Sequence, residues 1–148
     1  MKYFLLVFFI GSIYGLNAQI TKSYIVVSDT SYNFHDLEQK LSKYSSMYNF
    51  EIDMQNKIYD PKKNRICLPE NDDDELYAGT YYPRRFSSEY LSIEYIQYYK
   101  KERKNDLMGI IFLITEDKNE AKKKVTKIRK NIPSAHIIKA NIYVGCMH

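Results

Sequence analysis

The chain has 148 residues, with 22 Lys and Arg against 18 Asp and Glu and a formal net charge of +4. Aromatic residues make up 15% of it, as 15 Tyr and 7 Phe, which excludes a disordered chain. With 5 Gly and 4 Pro it is neither collagen-like nor of low complexity. A charge of +4 is too small to indicate nucleic-acid binding by itself, and the length suits one domain.

The first residues have the pattern of a secretory signal peptide. Lys2 precedes an apolar run at residues 4–10, which fades towards Ala18. The run is shorter than the roughly 20 apolar residues that span a bilayer, and the alternative is an N-terminal core strand. We expect a signal peptide at 1–18, with the exact cleavage site open. The product, residues 19–148, would be exported, periplasmic or secreted, without stable membrane insertion.

Export would affect the chemistry of Cys67 and Cys146, the only two cysteines of the chain. Cysteines of an exported protein can form a disulfide, and no zinc-binding spacing is present. The alternative is two buried free thiols. The sequence leaves both interpretations open.

The N-terminal third has a strand, helix, strand pattern. Residues 24–27 are a β-branched run, and residues 50–55 alternate apolar and polar side chains. Further extended segments follow at 57–59 and 65–68. Between the first two strands, one helix face carries apolar residues at Phe34, Leu37, Leu41, Tyr44 and Tyr48.

The C-terminal third repeats this pattern. Residues 109–114 form an apolar run typical of a central strand. Asp117 and Glu120 have capping-box spacing, Pro133 ends the helix, and residues 135–145 read as one bent strand or a tight pair. The apolar stripe of this helix is Ala121, Val125, Ile128 and Ile132.

The two units predict an α+β fold. Two β-α-β repeats would form one antiparallel sheet with both helices on one face, a ferredoxin-like βαββαβ arrangement. Repeat one covers 23–68, a connecting insertion covers 69–107, and repeat two covers 108–148. Residues 88–103 of the insertion fit a helix that ends in basic residues, although alternation at 91–95 leaves a strand open.

The insertion also holds the most suggestive local segment, Tyr81, Tyr82, Arg84 and Arg85. Tyrosine rings and arginine donors suit sugars that bear hydroxyl and carboxylate groups. Alternatively, the rings fill the core and the arginines pair with the acidic loop at 69–75. That loop favours a solvated surface over a calcium site, because it lacks spaced ligands.

Two further sets of residues, the cationic residues of the second helix and the three histidines, could in principle bind a ligand or act in catalysis. The cationic side chains at 122–124, 127, 129 and 130 favour a solvated helix face over a site for an anionic polymer, and no nucleic-acid partner is expected. His35, His136 and His148 lie near no nucleophile motif. We therefore expect no enzyme, no catalytic residue, no metal and no cofactor.

The C-terminal unit resembles the SPOR (sporulation-related repeat) domain. The resemblance rests on Glu120-Ala121 at the helix start, the lysine-rich helix end, and the strands at 135–139 and 142–145. It implies a βαββαβ sheet that binds peptidoglycan glycan strands in the cell envelope. The leader and the composition rich in Lys, Tyr and Asn also resemble envelope proteins of the Bacteroidota.

The sequence thus predicts an exported, non-enzymatic cell-envelope module that binds peptidoglycan or another polysaccharide on an open sheet face. Glu51, Asp53 and Gln55 would point away from the helices. Lys139 and Tyr143 would join that face, with the segment at 81–85 at its edge. The alternatives are a protein–protein interaction or assembly module whose sheet edge pairs with an envelope protein, and a hydrolase assembled from distant residues.

Overall fold

A computed structural model describes residues 20–100 and 106–145. The predicted signal peptide and Cys146 lie outside these residues. The described elements are β1 (Ile20–Ser31), α1 (Phe34–Tyr48), β2 (Ile58–Asp60), β3 (Arg65–Cys67), β4 (Ser88–Tyr95), a 3₁₀ turn (Ile96–Tyr98), β5 (Met108–Thr115), α2 (Lys118–Arg129) and β6 (His136–Tyr143).

Four strands form one antiparallel sheet in the order β4-β5-β1-β6. The first and last strands are neighbours, with Ile20 opposite Tyr143 and Val27 opposite His136. Each long helix lies between two strands that have one other strand between them in the sheet, which is the split β-α-β connection. The predicted ferredoxin-like α+β class is therefore confirmed.

The helices form where the sequence predicts them and lie against one face of the sheet. The Asn33 side chain caps α1, which ends at Asn49 with φ 54°, and the Asp117 side chain caps α2. Their apolar stripes are buried in one core with alternate residues of the strands. This helix-side core includes Leu37, Leu41, Val125, Ile128, Val26, Ile110 and Phe112.

The helix predicted at 88–103 is wrong, because the structure has strand β4 there. Leu91, Ile93 and Tyr95 face the helix-side core. Ser92 and Glu94, the alternate residues, are also buried, so both sides of the strand are covered. The alternation at 91–95 was the better guide, since a strand here completes the four-stranded sheet. Residues 101–105, in the predicted basic helix end, lie outside the described residues.

The second strand of the N-terminal β-α-β unit is β4, whereas the pattern placed it at 50–55. In that stretch, Ile52 makes only an isolated parallel bridge to Leu91, on the outer edge of β4. Strands β2 and β3, which follow α1 and precede β4 in the chain, form a separate two-stranded sheet. The interval 69–107 therefore contains a strand of the main sheet instead of an inserted helix, and the internal repeat stays a prediction.

The sheet face opposite the helices is also largely covered, contrary to the expected open polar surface. Its buried residues are Ile25, Val27, Ile111, Ile114, Ile138, Ala140 and Ile142. Ile96 and Tyr99, from the chain that connects β4 to β5, pack on this second cluster. Because all eight residues of β5 are buried, both faces of this central strand need a cover.

Candidate functional site

Three adjoining clefts meet at Tyr98, on the connection that covers the second sheet face. The largest has a volume of about 910 Å³ and includes Lys22, Tyr98, Lys139 and Asn141 in its lining. A second, of about 280 Å³, continues past Tyr98 towards Tyr81. A third, of about 220 Å³, runs past Tyr98 to the 83–85 segment and the end of β6. We call these three clefts together the Tyr98 groove.

Aromatic and cationic residues are prominent in the lining of the Tyr98 groove. The side chains of Tyr98 and Tyr143 are 48% and 49% exposed, so both rings are accessible to a ligand. Lys22 and Lys139 are exposed and line the largest cleft, and Arg85 lines the smallest. Flat rings beside ammonium and guanidinium donors suit a polar ligand with apolar faces, such as a sugar.

A buried ion pair lies on the second face of β4, away from the helices. The Lys57 ammonium is 3.0 Å from Glu94 Oε1, and both side chains are 0% exposed. The Tyr81 hydroxyl donates to Glu94 Oε2 at 2.6 Å, and Lys57 donates to Gln55 Oε1 at 3.1 Å. The Lys57 ammonium also lies 5.0 Å from the centre of the Tyr82 ring. The pair is thus fully hydrogen-bonded, as burial of charge requires.

Arg84 is the second buried cation of this region. Its guanidinium donates to the carbonyl oxygens of Ser88 and Tyr90 and to the Ser88 hydroxyl, at 2.5, 2.9 and 2.9 Å. It also lies 3.6 Å from the centre of the Tyr90 ring. Within the described residues, no carboxylate forms an ion pair with it. Burial lowers the pKa of Arg84, the opposite of what a carboxylate partner would do.

The buried phenols around these charges have raised pKa values. For Tyr81 and Tyr99, burial raises the pKa well above the ordinary 10.0, and the Glu94 carboxylate raises it further. Both hydroxyls therefore stay protonated as hydrogen-bond donors. Tyr99 donates to the Arg84 carbonyl at 2.9 Å. These bonds fasten the 81–84 segment to β4 and to the connection that carries Tyr98.

The structure brings together only part of the predicted site. Arg85 and Tyr143 line one cleft of the Tyr98 groove, and Lys139 lines the largest cleft. Lys139 and Tyr143 were expected on the face away from the helices, but they alternate in β6 with Ile138, Ala140 and Ile142, which occupy that face. Tyr81 reaches the second cleft, but its hydroxyl is bound to Glu94. Tyr82 lies beside Lys57, with its hydroxyl donating to the Gln55 carbonyl at 3.1 Å.

Arg84 corrects the prediction, since it is 1% exposed and its donors are used within the protein. It does not pair with the acidic loop either. It is buried because its guanidinium donates to the carbonyl oxygens of Ser88 and Tyr90 at the start of β4. Its role is in the fold, because a guanidinium that is 1% exposed is not accessible to a sugar.

Sequence reasoning missed Tyr98, Tyr99, Lys22 and Asn141. The two tyrosines lie within 88–103, where the sequence favours an α-helix that does not form. Their neighbours in the groove, Lys22 and Asn141, come from β1 and β6, which are far apart along the chain and directly opposite in the sheet. The only local signal was the adjacent Tyr pair at the end of an alternating segment.

The remaining sequence candidates show no assembled chemistry. His35 contacts Glu38 at 3.2 Å on the exposed side of α1, and His136 contacts the Ser134 carbonyl. Asp72 and Asp74 accept local backbone hydrogen bonds in the exposed acidic loop. Across residues 20–100 and 106–145, no group of three or more His, Cys, Asp or Glu is placed to hold a metal ion.

Cys67 is buried at the end of β3 and forms no disulfide with another described residue. Its predicted partner, Cys146, lies outside the described residues, so the disulfide stays a prediction.

Comparison with known proteins gave no relative. No protein-family model, curated protein or solved structure matches the chain. In the part of the chain that the structure describes, no helix has the length and apolar character needed to cross a membrane. The functional argument therefore depends on the geometry of the Tyr98 groove.

Proposed function

We propose that the protein is an exported, non-enzymatic cell-envelope module that binds peptidoglycan or another polysaccharide in the Tyr98 groove. The observation that carries the proposal is the groove itself, where Tyr98 and Tyr143 are half exposed beside Lys22, Lys139 and Arg85. The leader at residues 1–18 supports export. The SPOR-like pattern of β5, α2 and β6 supports a glycan ligand.

The groove suits a chain of sugars better than a small ligand. Its largest cleft, about 910 Å³, lies at the upper end of small-molecule pockets and joins two more clefts. A tyrosine ring stacks on the apolar face of a sugar, while lysine and arginine donate to hydroxyl and carboxylate oxygens. Each contact is weak, so affinity would come from several sugar units bound at once.

The test is cosedimentation of the purified mature protein with peptidoglycan sacculi. We expect retention of the native chain and loss of retention in the double variant Tyr98→Ala with Lys139→Gln, since both residues are exposed and line the groove. The matched control is Tyr32→Ala with Lys43→Gln, which removes an exposed ring and an exposed charge elsewhere. Equal retention of the groove variant, or equal loss in the control, would contradict the proposal. Variants at Arg84 are unsuitable, because this side chain is buried and its loss would remove hydrogen bonds of the fold.

A second candidate function is an assembly module, favoured by the outer edge of β6. This edge pairs with no other strand among the described residues, and an exposed edge can accept a strand of another protein. Absence of retention on sacculi, together with co-purification of one discrete envelope protein, would support this function instead.

A further inference from the structure

The outer face of α2 carries a concentrated positive charge. Exposed lysines occupy positions 118, 122, 123, 127 and 130 on or next to the helix. Lys124 differs from them, because it forms an ion pair with Glu89 and lies 4.8 Å from the centre of the Phe50 ring. Within the described residues, none of the five exposed lysines makes an ion pair.

The helix geometry gathers these lysines on one side. Ala121, Val125 and Ile128 are buried against the sheet. Lys123, Lys127 and Lys130 recur at i, i+4 and i+7, so they follow one another along the opposite face. Lys122, Lys123, Thr126, Lys127 and Lys130 line a shallow depression of about 420 Å³. Like charges at this spacing destabilise a helix, and within the described residues no carboxylate forms an ion pair with these three lysines.

We propose that this lysine face binds a linear acidic polysaccharide, one that carries a carboxylate on successive sugar units. The positive lysine face and the negative polysaccharide have complementary charges. The lysine ammonium groups act as point charges, so they need no fixed orientation of the carboxylate. A helix of 12 residues extends about 18 Å. The face therefore spans several sugar units of such a chain.

The distribution of charge favours a linear chain over a membrane surface. The exposed side of α1, in the same helix layer, mixes acidic and basic residues, including Asp36, Glu38 and Lys43. A flat anionic bilayer pressed on the helix layer would meet these acidic groups as well. The face of α2 has no aromatic or large apolar side chain to enter a bilayer or to stack on nucleic-acid bases.

This site is separate from the proposed glycan groove. The helices pack on one face of the sheet, whereas the largest cleft of the Tyr98 groove lies against the second cluster, on the opposite face. The two proposals can therefore fail independently. One polysaccharide could be held in the groove while another is held by α2.

The test measures binding of polygalacturonate, a linear polyuronate, to the full mature protein over a series of salt concentrations. We expect affinity to fall linearly with salt on a double logarithmic plot, because binding releases counterions. The variant Lys123→Gln with Lys127→Gln should weaken binding about tenfold or more at low salt and reduce that slope by roughly one to two. Lys43→Gln with Lys62→Gln is the matched control, since it removes the same charge from exposed positions elsewhere.

The remaining outcomes distinguish this site from the alternatives. Equal weakening by the control would show that only net charge matters. Tighter binding to vesicles of anionic phospholipid, or to single-stranded DNA, would assign the face to a different partner. Loss of polygalacturonate binding in Tyr98→Ala would place that polymer in the groove, whereas retention of it in Tyr98→Ala supports a separate site. Failure to bind sacculi leaves this result unaffected.

Discussion

At the scale of single residues, the buried charges decide which side chains are left for a ligand. Lys57 and Glu94 neutralise each other at 0% exposure, and Arg84 is satisfied by carbonyl oxygens. Removing water from two ions costs several kcal/mol for each, so such a pair persists only with complete hydrogen bonding. Arg85, next in the chain to Arg84, keeps access to the groove.

Substitution of Glu94 by Gln should lower the free energy of unfolding by about 3–5 kcal/mol, because it leaves the Lys57 ammonium buried without a carboxylate. The double variant with Lys57→Met should recover a substantial part of this loss, since no unpaired charge remains. Urea denaturation of the two single variants and the double variant measures the coupling. A cost below about 1 kcal/mol for Glu94→Gln would mean that the pair is not enclosed as described.

At the scale of elements, the sequence predicts a helix correctly where the helix has its own capping residue and its own stripe of apolar residues. Asp117 accepts from the backbone nitrogens of Asn119 and Glu120 at 2.7 and 3.3 Å, as its capping-box spacing predicted. β4 is the contrary case, because its tyrosines and basic flank resemble an amphipathic helix. Pairing with β5 on one side and with Ile52 on the other made it a strand.

Loss of the α2 cap in Asp117→Ala should reduce stability by about 1 kcal/mol, because two backbone N–H groups lose their acceptor. Asp117→Ser should keep most of the stability, since a hydroxyl oxygen also caps. Glu116→Ala is the control, as it removes the same charge from the exposed neighbouring residue. Thermal denaturation monitored by circular dichroism compares the three, and an equal loss in Glu116→Ala would count against the cap.

At the scale of the whole molecule, two apolar clusters sandwich one sheet. The helices cover one face, and the connection between β4 and β5 covers part of the other. The same connection places Tyr98 where three clefts meet. The groove is therefore a consequence of covering the second face, and it depends on the buried phenols that fasten this cover.

The stability of the protein should fall at alkaline pH. Tyr81 and Tyr99 have folded-state pKa values raised above 10.0, so above about pH 10 the unfolded chain releases protons that the folded chain retains. The stabilisation is fully present below about pH 10, the unfolded-state pKa, and is lost progressively as the pH rises from there towards the raised folded-state pKa values. Urea denaturation at increasing pH measures this, and Tyr99→Phe should have a shallower decline. A free energy of unfolding that is constant through this range would show that the phenols ionise equally in both states.

The sequence by itself determined the two helices, the central strand β5 and the α+β class, because caps, stripes and an apolar run are properties of neighbouring residues. The tertiary structure alone decided that residues 88–95 form a strand and that Arg84 is buried. It also decided that Tyr98, Lys22 and Lys139 line the same cleft. These outcomes depend on antiparallel pairing between β1 and β6, and on which segment covers the second sheet face. Such contacts join residues far apart along the chain, so no local sequence pattern predicts them.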